Sequence, residues 1–436
     1  MLLPRPRGPL SAALFEQLHG ATPVSWPSFA EELRPDRAVL HDPDFQIALW
    51  SLYELHYAGF DDVADSWEWA SDLLSIRSQF ERVFETAVRN VADPLATSFD
   101  RLEGDFPERL FALVAAADGP SAARYVRVHA TRSQVEEFLI HRSIYTLKEA
   151  DPHSWCIPRL QGAAKVALVE LQFDEYGAGR PSRQHARMFA DSLSAVGLDA
   201  RYGAYINAVP AITLAVNNLV NFFGLHRRLR GAAMGHLAAF EATSSLPARD
   251  VASGLHRLGL GAAAGYFDEH VEADAVHEQL AARSICAVML EEDPSIAEDV
   301  ALGIAACMSL DAFAGEWLLG HWKQGGSSLA PAQPVVDVLA CAGGPALVRN
   351  LTLLVDDAGR HHPNTRPVAA VCRCEKSSRW PWCDGTHKIL PEESKQESQV
   401  EVIGSHELRL RRVSPPASEG ARPTSQAQSS GLTSAS

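Results

Sequence analysis

From about residue 45 to residue 320, apolar side chains recur at intervals of three and four, and strands and helices nowhere alternate. DLLSIRSQFERVFETAVRNVA and SICAVMLEEDPSIAEDVALGIAACMSLDAFAGEWLLGHW carry the pattern, and YGAGRPS, LGLGAAAG and SSLPARD punctuate it. A 3.6-residue period gathers such side chains on one face, which is buried by packing helix on helix. The expectation is a mainly α chain with a helical bundle over 45–322, preceded by an N-terminal extension, 1–44. No internal repeat of fixed period is visible.

Near residue 325 the character changes. KQGGSSLAPAQP (323–334) reads as a linker. After it, PVVDVLAC, ALVRNLTLLVDD and PVAAVCRC are short β-type runs broken by GG and DDAGRHHPN turns, which sets a small β-rich domain at 335–395. SQVEVIGSHELRLRRV supplies a further pair of strands within 396–413, and the serine- and proline-rich tail, 414–436, lacks the apolar surface to order itself.

With 436 residues the chain is long enough for two folded units, and 46% hydrophobic and 21% charged residues supply ample core. A net charge of −15 argues against nucleic acid and anionic membranes as partners. No run of about 18 apolar residues is present to span a bilayer. The N-terminus carries Arg5 and Arg7 with no acid before Glu16, but its apolar stretches are proline-broken and too short for a secretory signal. A cytoplasmic start is expected, and seven cysteines, an odd number, fit a reducing compartment. Cys286 and Cys307 sit in apolar helical runs and read as core residues, as do Cys156 and Cys341, which have no partner spacing.

The other three cysteines are close together. Cys372, Cys374, Cys383 and His387 lie within the string CRCEKSSRWPWCDGTH, so one short segment can converge on metal. Cys-x-Cys points both thiols to one face of an extended strand, and Gly385 permits a tight turn back to His387. Asp384 stands where a carboxylate can cap a helix or orient a backbone donor. A structural Cys3His zinc site is the competing assignment, but zinc sites generally space paired cysteines by two to four residues. The string C-x-C-x2-S-x3-P-x-C-D-G-T-H resembles the CDGSH iron–sulfur family over about residues 343–390, with GGPALVRNLTLLVDDAGR similar to the family's lead-in strands. The resemblance implies a [2Fe–2S] cluster, one iron on Cys372 and Cys374 and the other on Cys383 and His387. Glu375, often glycine in the family, and Trp382, often phenylalanine, depart from the pattern without touching a ligand.

A second set lies in the helical part. His270, Asp274 and His277 are spaced i, i+4, i+7 in EHVEADAVHE, at about 0°, 40° and −20° around a helix, one narrow stripe suited to a divalent transition metal. The competing assignment is a solvated face, because Glu269, Glu272 and Glu278 are interleaved. Glu241 is conspicuous in the otherwise apolar HLAAFEATSSLP, Glu175 ends one helix and His185 opens the next. Glu54 and His56, two apart, fall about 200° apart on a helix and cannot share a face. In order along the chain, the set resembles the haem-oxygenase-like diiron oxidases over roughly 140–320. The resemblance implies a haem-oxygenase-like bundle whose non-haem diiron ligands are Glu175, His185, Glu241, His270, Asp274 and His277, with Glu170 an alternative to Glu175. The resulting expectation is an oxidoreductase that uses O2 on a small-molecule substrate, with the cluster and an external donor supplying electrons. The alternative is a non-catalytic [2Fe–2S] carrier or redox sensor with a scaffold helical domain.

Overall fold

The computed structural model describes residues 1–20, 36–119, 121–331, 336–391, 398–404 and 407–411. The tail 414–436 and the end of the linker, from 332, lie outside them. The chain divides into two compact units, Met1–Ala332 and Gln333–Ser436.

The first unit is all helical among its described residues. Its core runs through the helix Pro43–Glu54, which Asp42 caps by accepting from Asp44 and Phe45 N–H, and in which Phe45, Ile47, Leu49, Trp50 and Tyr53 are fully buried. Residues 1–44, set apart in the sequence as an extension, join this unit where they are described. Leu10, Leu14, Phe15 and Leu18 of the helix Pro9–Leu18 belong to the same core. At the other boundary, the helix Ala297–Lys323 persists into the first residue of the expected linker.

Ala297–Lys323 packs on the helices Ser71–Asp100 and Arg230–Ala242. The contact with Arg230–Ala242 is backbone to backbone. A Cβ on Gly303 would stand 2.0 Å from the Ala232 carbonyl oxygen, and one on Gly235 would stand 2.2 Å from that of Val300. Only glycine permits that approach, and it seats the helix that carries Glu241. The helix Gly265–Gln279 continues directly into a π-helical stretch, Leu280–Cys286, which packs on the helix Gly162–Glu175. Cys156, Cys286 and Cys307 are buried, whereas Cys341 is only half-buried.

Among its described residues the second unit holds seven strands. β1 (Asp337–Ala340), β2 (Ala346–Arg349) and β5 (Val368–Val371) form an antiparallel sheet in the order β1-β2-β5. β3 (Leu353–Val355), β4 (His361–Pro363), β6 (Gln399–Gly404) and β7 (Glu407–Arg411) form a second sheet in the order β4-β3-β7-β6. β6 and β7 are the strand pair expected from SQVEVIGSHELRLRRV, and β7 joins β3 in parallel. Val348, Leu354, Val371, Leu408 and Leu410 close a core between them. A mainly α bundle followed by a small β-rich domain is thus the observed fold class.

Candidate metal centres

In the helical unit, the arrangement starts from two chain reversals. The helix Arg132–Thr146 opens on a capping box between Thr131 and Gln134 and gives way to a turn in which Ala150 is left-handed, φ 75°. A non-glycine residue in that region is uncommon, and here it directly follows Glu149. The second reversal follows the helix Gly162–Glu175. Gly177 takes φ 82°, and a Cβ there would stand 2.5 Å from both the Arg180 carbonyl oxygen and the Gln184 nitrogen. This tight return lets His185 open its helix beside Glu175, with Nδ1 2.9 Å from Oε2.

The stripe on Gly265–Gln279 faces inward. His270, Asp274 and His277 are 6%, 1% and 1% exposed, while Glu272 is exposed, which excludes a solvated face for the stripe. His277 Nδ1 lies 3.0 Å from Glu175 and 3.6 Å from Glu241, and its Nε2 lies 2.9 Å from Asp174. His270 Nδ1 donates to the Tyr266 carbonyl at 2.7 Å, which leaves Nε2 as a lone-pair donor 3.8 Å from Glu149. Donor atoms cluster in two groups, Glu149–Glu175–His185–His270 and Glu175–Glu241–His277, each within 4.8 Å. Glu175 belongs to both. Asp274 stands outside these groups but lines the same cavity as Glu149, Glu175, Glu241 and His270.

Of the first-helix alternatives, Glu175 is buried and Glu170 is exposed. Glu54 and His56 diverge: Glu54 accepts from buried Lys148 at 2.9 Å and from Tyr202 at 2.7 Å, and His56 meets Arg77. Glu149 was missed in the sequence. It sits in a charged Lys-Glu-Ala-Asp turn that reads as solvent-facing, yet it is 6% exposed and takes a 2.8 Å hydrogen bond from Tyr266 to each carboxylate oxygen. Only its spacing from the Glu175–His185 pair through the folded chain reveals it.

Of four carboxylates crowded away from water, Asp274, Glu149 and Glu241 are pushed towards the protonated form and Glu175 is not. Burial, then the charges of Glu241, Glu175 and Glu149, raises Asp274 to about 10, and burial with the Glu175 charge raises Glu149 to about 8. Burial lowers His277, but hydrogen bonds to Glu175 and Glu241 outweigh it and raise it to about 11. Burial, aided by His185, pushes His270 down to about 3. Burial raises Glu175 too, yet hydrogen bonds from His185 and His277 hold it well below the usual carboxylate range. His270 Nε2 and Asp274 Oδ2 are buried without a hydrogen-bond partner among the described residues. Carboxylates, imidazoles and unsatisfied donor atoms together fit a transition-metal pair.

In the second unit, β5 delivers Cys372. Its N–H donates to the Pro381 carbonyl, and Cys383 N–H donates to that of Ala370, so the two cysteine-bearing segments lie side by side. Cys372 and Cys374 sulfurs are 3.5 Å apart, and Cys383 Sγ is 3.4 Å from His387 Nδ1. Asp384 fixes the turn: Oδ1 accepts from Thr386 N–H and hydroxyl, and Oδ2 from Ser378 N–H and hydroxyl. These bonds hold its carboxyl well below the usual range. Gly385, at φ 89°, turns its N–H towards Cys383 Sγ at 3.4 Å. Glu375 adopts φ 60°, a conformation that favours glycine, and its carboxylate accepts from the Ser398 hydroxyl. Among the described residues no three of the four donor atoms lie within 4.8 Å of one another. One tetrahedral zinc, with ligands at about 2.0–2.3 Å, would draw all four closer than that. Two separate pairs suit two metal ions.

A helical domain with a buried carboxylate–imidazole nest and a small β domain with paired Cys3His donors define an iron-dependent redox protein. Residues 136–312 match the family described as iron-containing redox enzyme, which is haem-oxygenase-like, and residues 343–388 match the family described as iron-binding zinc finger CDGSH type. The chain carries both domains, the CDGSH iron–sulfur domain C-terminal. No curated protein matches it. No helix among the described residues is long and apolar enough to cross a membrane.

Proposed function

We propose that the protein is a diiron oxidase with a built-in electron carrier, acting on O2 and a small organic substrate. The observation that carries this reading is Glu175, which belongs to both buried groups of ligand atoms and so could serve two ions at once. Glu149, His185 and His270 would hold one iron, Glu241 and His277 the other, and Asp274 would complete the set from the same cavity. Iron bound there supplies the redox chemistry for O2, and a [2Fe–2S] cluster on Cys372, Cys374, Cys383 and His387 supplies electrons singly. An external donor would refill the cluster, and the free cysteines are consistent with a reducing compartment such as the cytoplasm.

The protein's own groups orient the ligands. Asp174 accepts the Nε2 proton of His277, so that Nδ1 faces Glu175 and Glu241. The Tyr266 hydroxyl holds both oxygens of Glu149, and the Tyr266 carbonyl holds His270 in the tautomer that frees Nε2. Burial of the whole set keeps bulk water from the reacting centre.

Iron and acid-labile sulfide analysis of anaerobically purified protein, with Mössbauer spectra, tests the reading. About two sulfides per chain are expected, with up to about two further irons that carry none. His270→Ala and His277→Ala should lose most of the sulfide-free iron, consume O2 more slowly and keep the colour of the cluster. Iron-replete, folded protein holding cluster iron alone would leave a [2Fe–2S] carrier on a helical scaffold.

A further inference from the structure

A second cavity, of about 270 Å³, lies along the C-terminal half of the helix Ala297–Lys323 and shares no lining residue with the metal site. Small-molecule sites run from about 300 to 1,000 Å³, so this one suits a compact ligand. Two adjacent rows of the helix build it: Phe313, Trp317 and His321 in one, and Glu316, Gly320 and Gln324 in the other. Arg37, which opens the short helix Arg37–Leu40, and His41, which follows it, face these rows across the cavity.

The rings are held in place. Trp317 Nε1 donates to the Ser328 carbonyl at 2.7 Å, and His321 Nδ1 donates to the Trp317 carbonyl at 2.8 Å. Those two rings lie 4.4 Å apart between centroids, and the His41 ring stacks on Trp317 at 6.3 Å. Beside this aromatic wall the helix surface has a gap, because a Cβ on Gly320 would meet nothing within 4 Å. Glycine inside a helix weakens it. In the same stretch of chain it is used where backbones touch, at Gly303, and where the chain turns, at Gly325 with φ 76°. Gly320 serves neither purpose, and the space above it belongs to the cavity.

A polar edge borders the gap. Arg37 lies flat on Phe313, with Cζ 3.7 Å from the ring centroid, so its N–H groups point along that plane. A single bond, Nη2 to Oε2 at 3.0 Å, joins it to Glu316, and both side chains are about half exposed. One bond leaves further guanidinium N–H groups and the second carboxylate oxygen to a ligand. Donor and acceptor thus stand side by side, with charges that cancel. The complement of that pair is a cyclic amide, whose C=O and N–H lie next to each other on the edge of an uncharged ring.

We propose that this cavity binds a planar heterocycle with a cyclic-amide edge. The ring lies over Gly320 against Trp317 and His321, its N–H donates to Glu316, and its C=O accepts from Arg37. Stacking favours a flat ring over an aliphatic one of equal size. The site is separate from the metal centre and stands whether or not that centre oxidises a substrate.

Saturation-transfer NMR on the full chain tests this with uracil, lumazine and riboflavin, which carry the same amide edge on one, two and three fused rings. Which of them binds tells a nucleobase-sized source from a pterin- or flavin-sized one. Each is compared with its N-methylated form, which keeps the rings and loses the N–H. At least one of the three should receive saturation, and its methylated form should bind about tenfold more weakly, the loss of one hydrogen bond. Arg37→Ala and Glu316→Ala, both at the surface, should each weaken binding about tenfold. Gly320→Leu, whose side chain fills the gap, should abolish it, with circular dichroism and iron content unchanged. Transfer to none of the three rings, equal binding of the methylated form, or binding that survives Gly320→Leu overturns the proposal. The methylated comparison is made on the unaltered protein, so it decides even where a substitution disturbs the fold.

Discussion

Loading metal into the helical site should expel at least about three protons at pH 7, and Glu241 and His185, both raised, can add to that number. In the metal-free protein, Asp274, raised to about 10, and Glu149, raised to about 8, are protonated at that pH, as is His277 at about 11. His270, lowered to about 3, has no proton to lose. Metal ligands must be deprotonated, so each held proton leaves as the ion enters. The groups interact, and the count belongs to the cluster rather than to any one residue. The sign follows: affinity rises with pH while the protons remain bound, by about one log unit per proton per pH unit, or roughly a thousandfold per unit below pH 8. Above about pH 8 Glu149 is already ionised and the slope falls towards two. The assay is anaerobic titration calorimetry with ferrous iron, repeated at one pH in buffers of different ionisation enthalpy, whose slope gives the number of protons. A release of about two would mean that Asp274 keeps its proton and stays off the metal. A release below one, or affinity independent of pH between 6 and 8, would refute the reasoning.

Glu149→Ala should cost the helical domain as much sulfide-free iron as His270→Ala, while Glu170→Ala, on the exposed face, should cost none by the same metal analysis. Lys148→Met leaves the fully buried Glu54 with Tyr202 as its one hydrogen-bond partner among the described residues, and should lower stability by about 3–5 kcal/mol in urea denaturation. Gly303→Ala drives a methyl group against the Ala232 carbonyl and should destabilise the protein by at least about 1–3 kcal/mol, read as a lower Tm. Serine at Cys372, Cys374 or Cys383 should abolish the visible absorbance of the cluster, and His387→Cys should slow its loss on mild acidification, because protons compete with iron for imidazole. Equal acid lability of the wild type and that variant would show that His387 is not the weak point.

What the sequence determined by itself is whatever one rigid local element fixes. A helix holds i, i+4 and i+7 on one stripe whatever surrounds it, so His270, Asp274 and His277 were legible as a set before any neighbour was known. A single strand and turn likewise place Cys372, Cys374, Cys383 and His387, and the division between helical and β-rich halves follows from the change in hydrophobic period near residue 325. Tertiary structure decided what depends on burial and chain reversal. Glu170 and Glu175 lie on one helix, and only the packing of Gly162–Glu175 on Leu280–Cys286 settles which of them leaves water. Residues 1–20 look like a loose leader, yet four apolar side chains there find a core built by helices far along the chain. Glu149 lies in a charged turn, and it becomes a ligand candidate because Ala150 bends the chain inward and Tyr266, 117 residues away, meets the carboxylate. Gln172 reads as one more polar helix residue until the fold ties its amide nitrogen to the Ala150 carbonyl and the Ser154 hydroxyl. Periodicity records which residues share a face. It carries no record of what that face will meet, because burial is a property of the assembled chain and not of the segment.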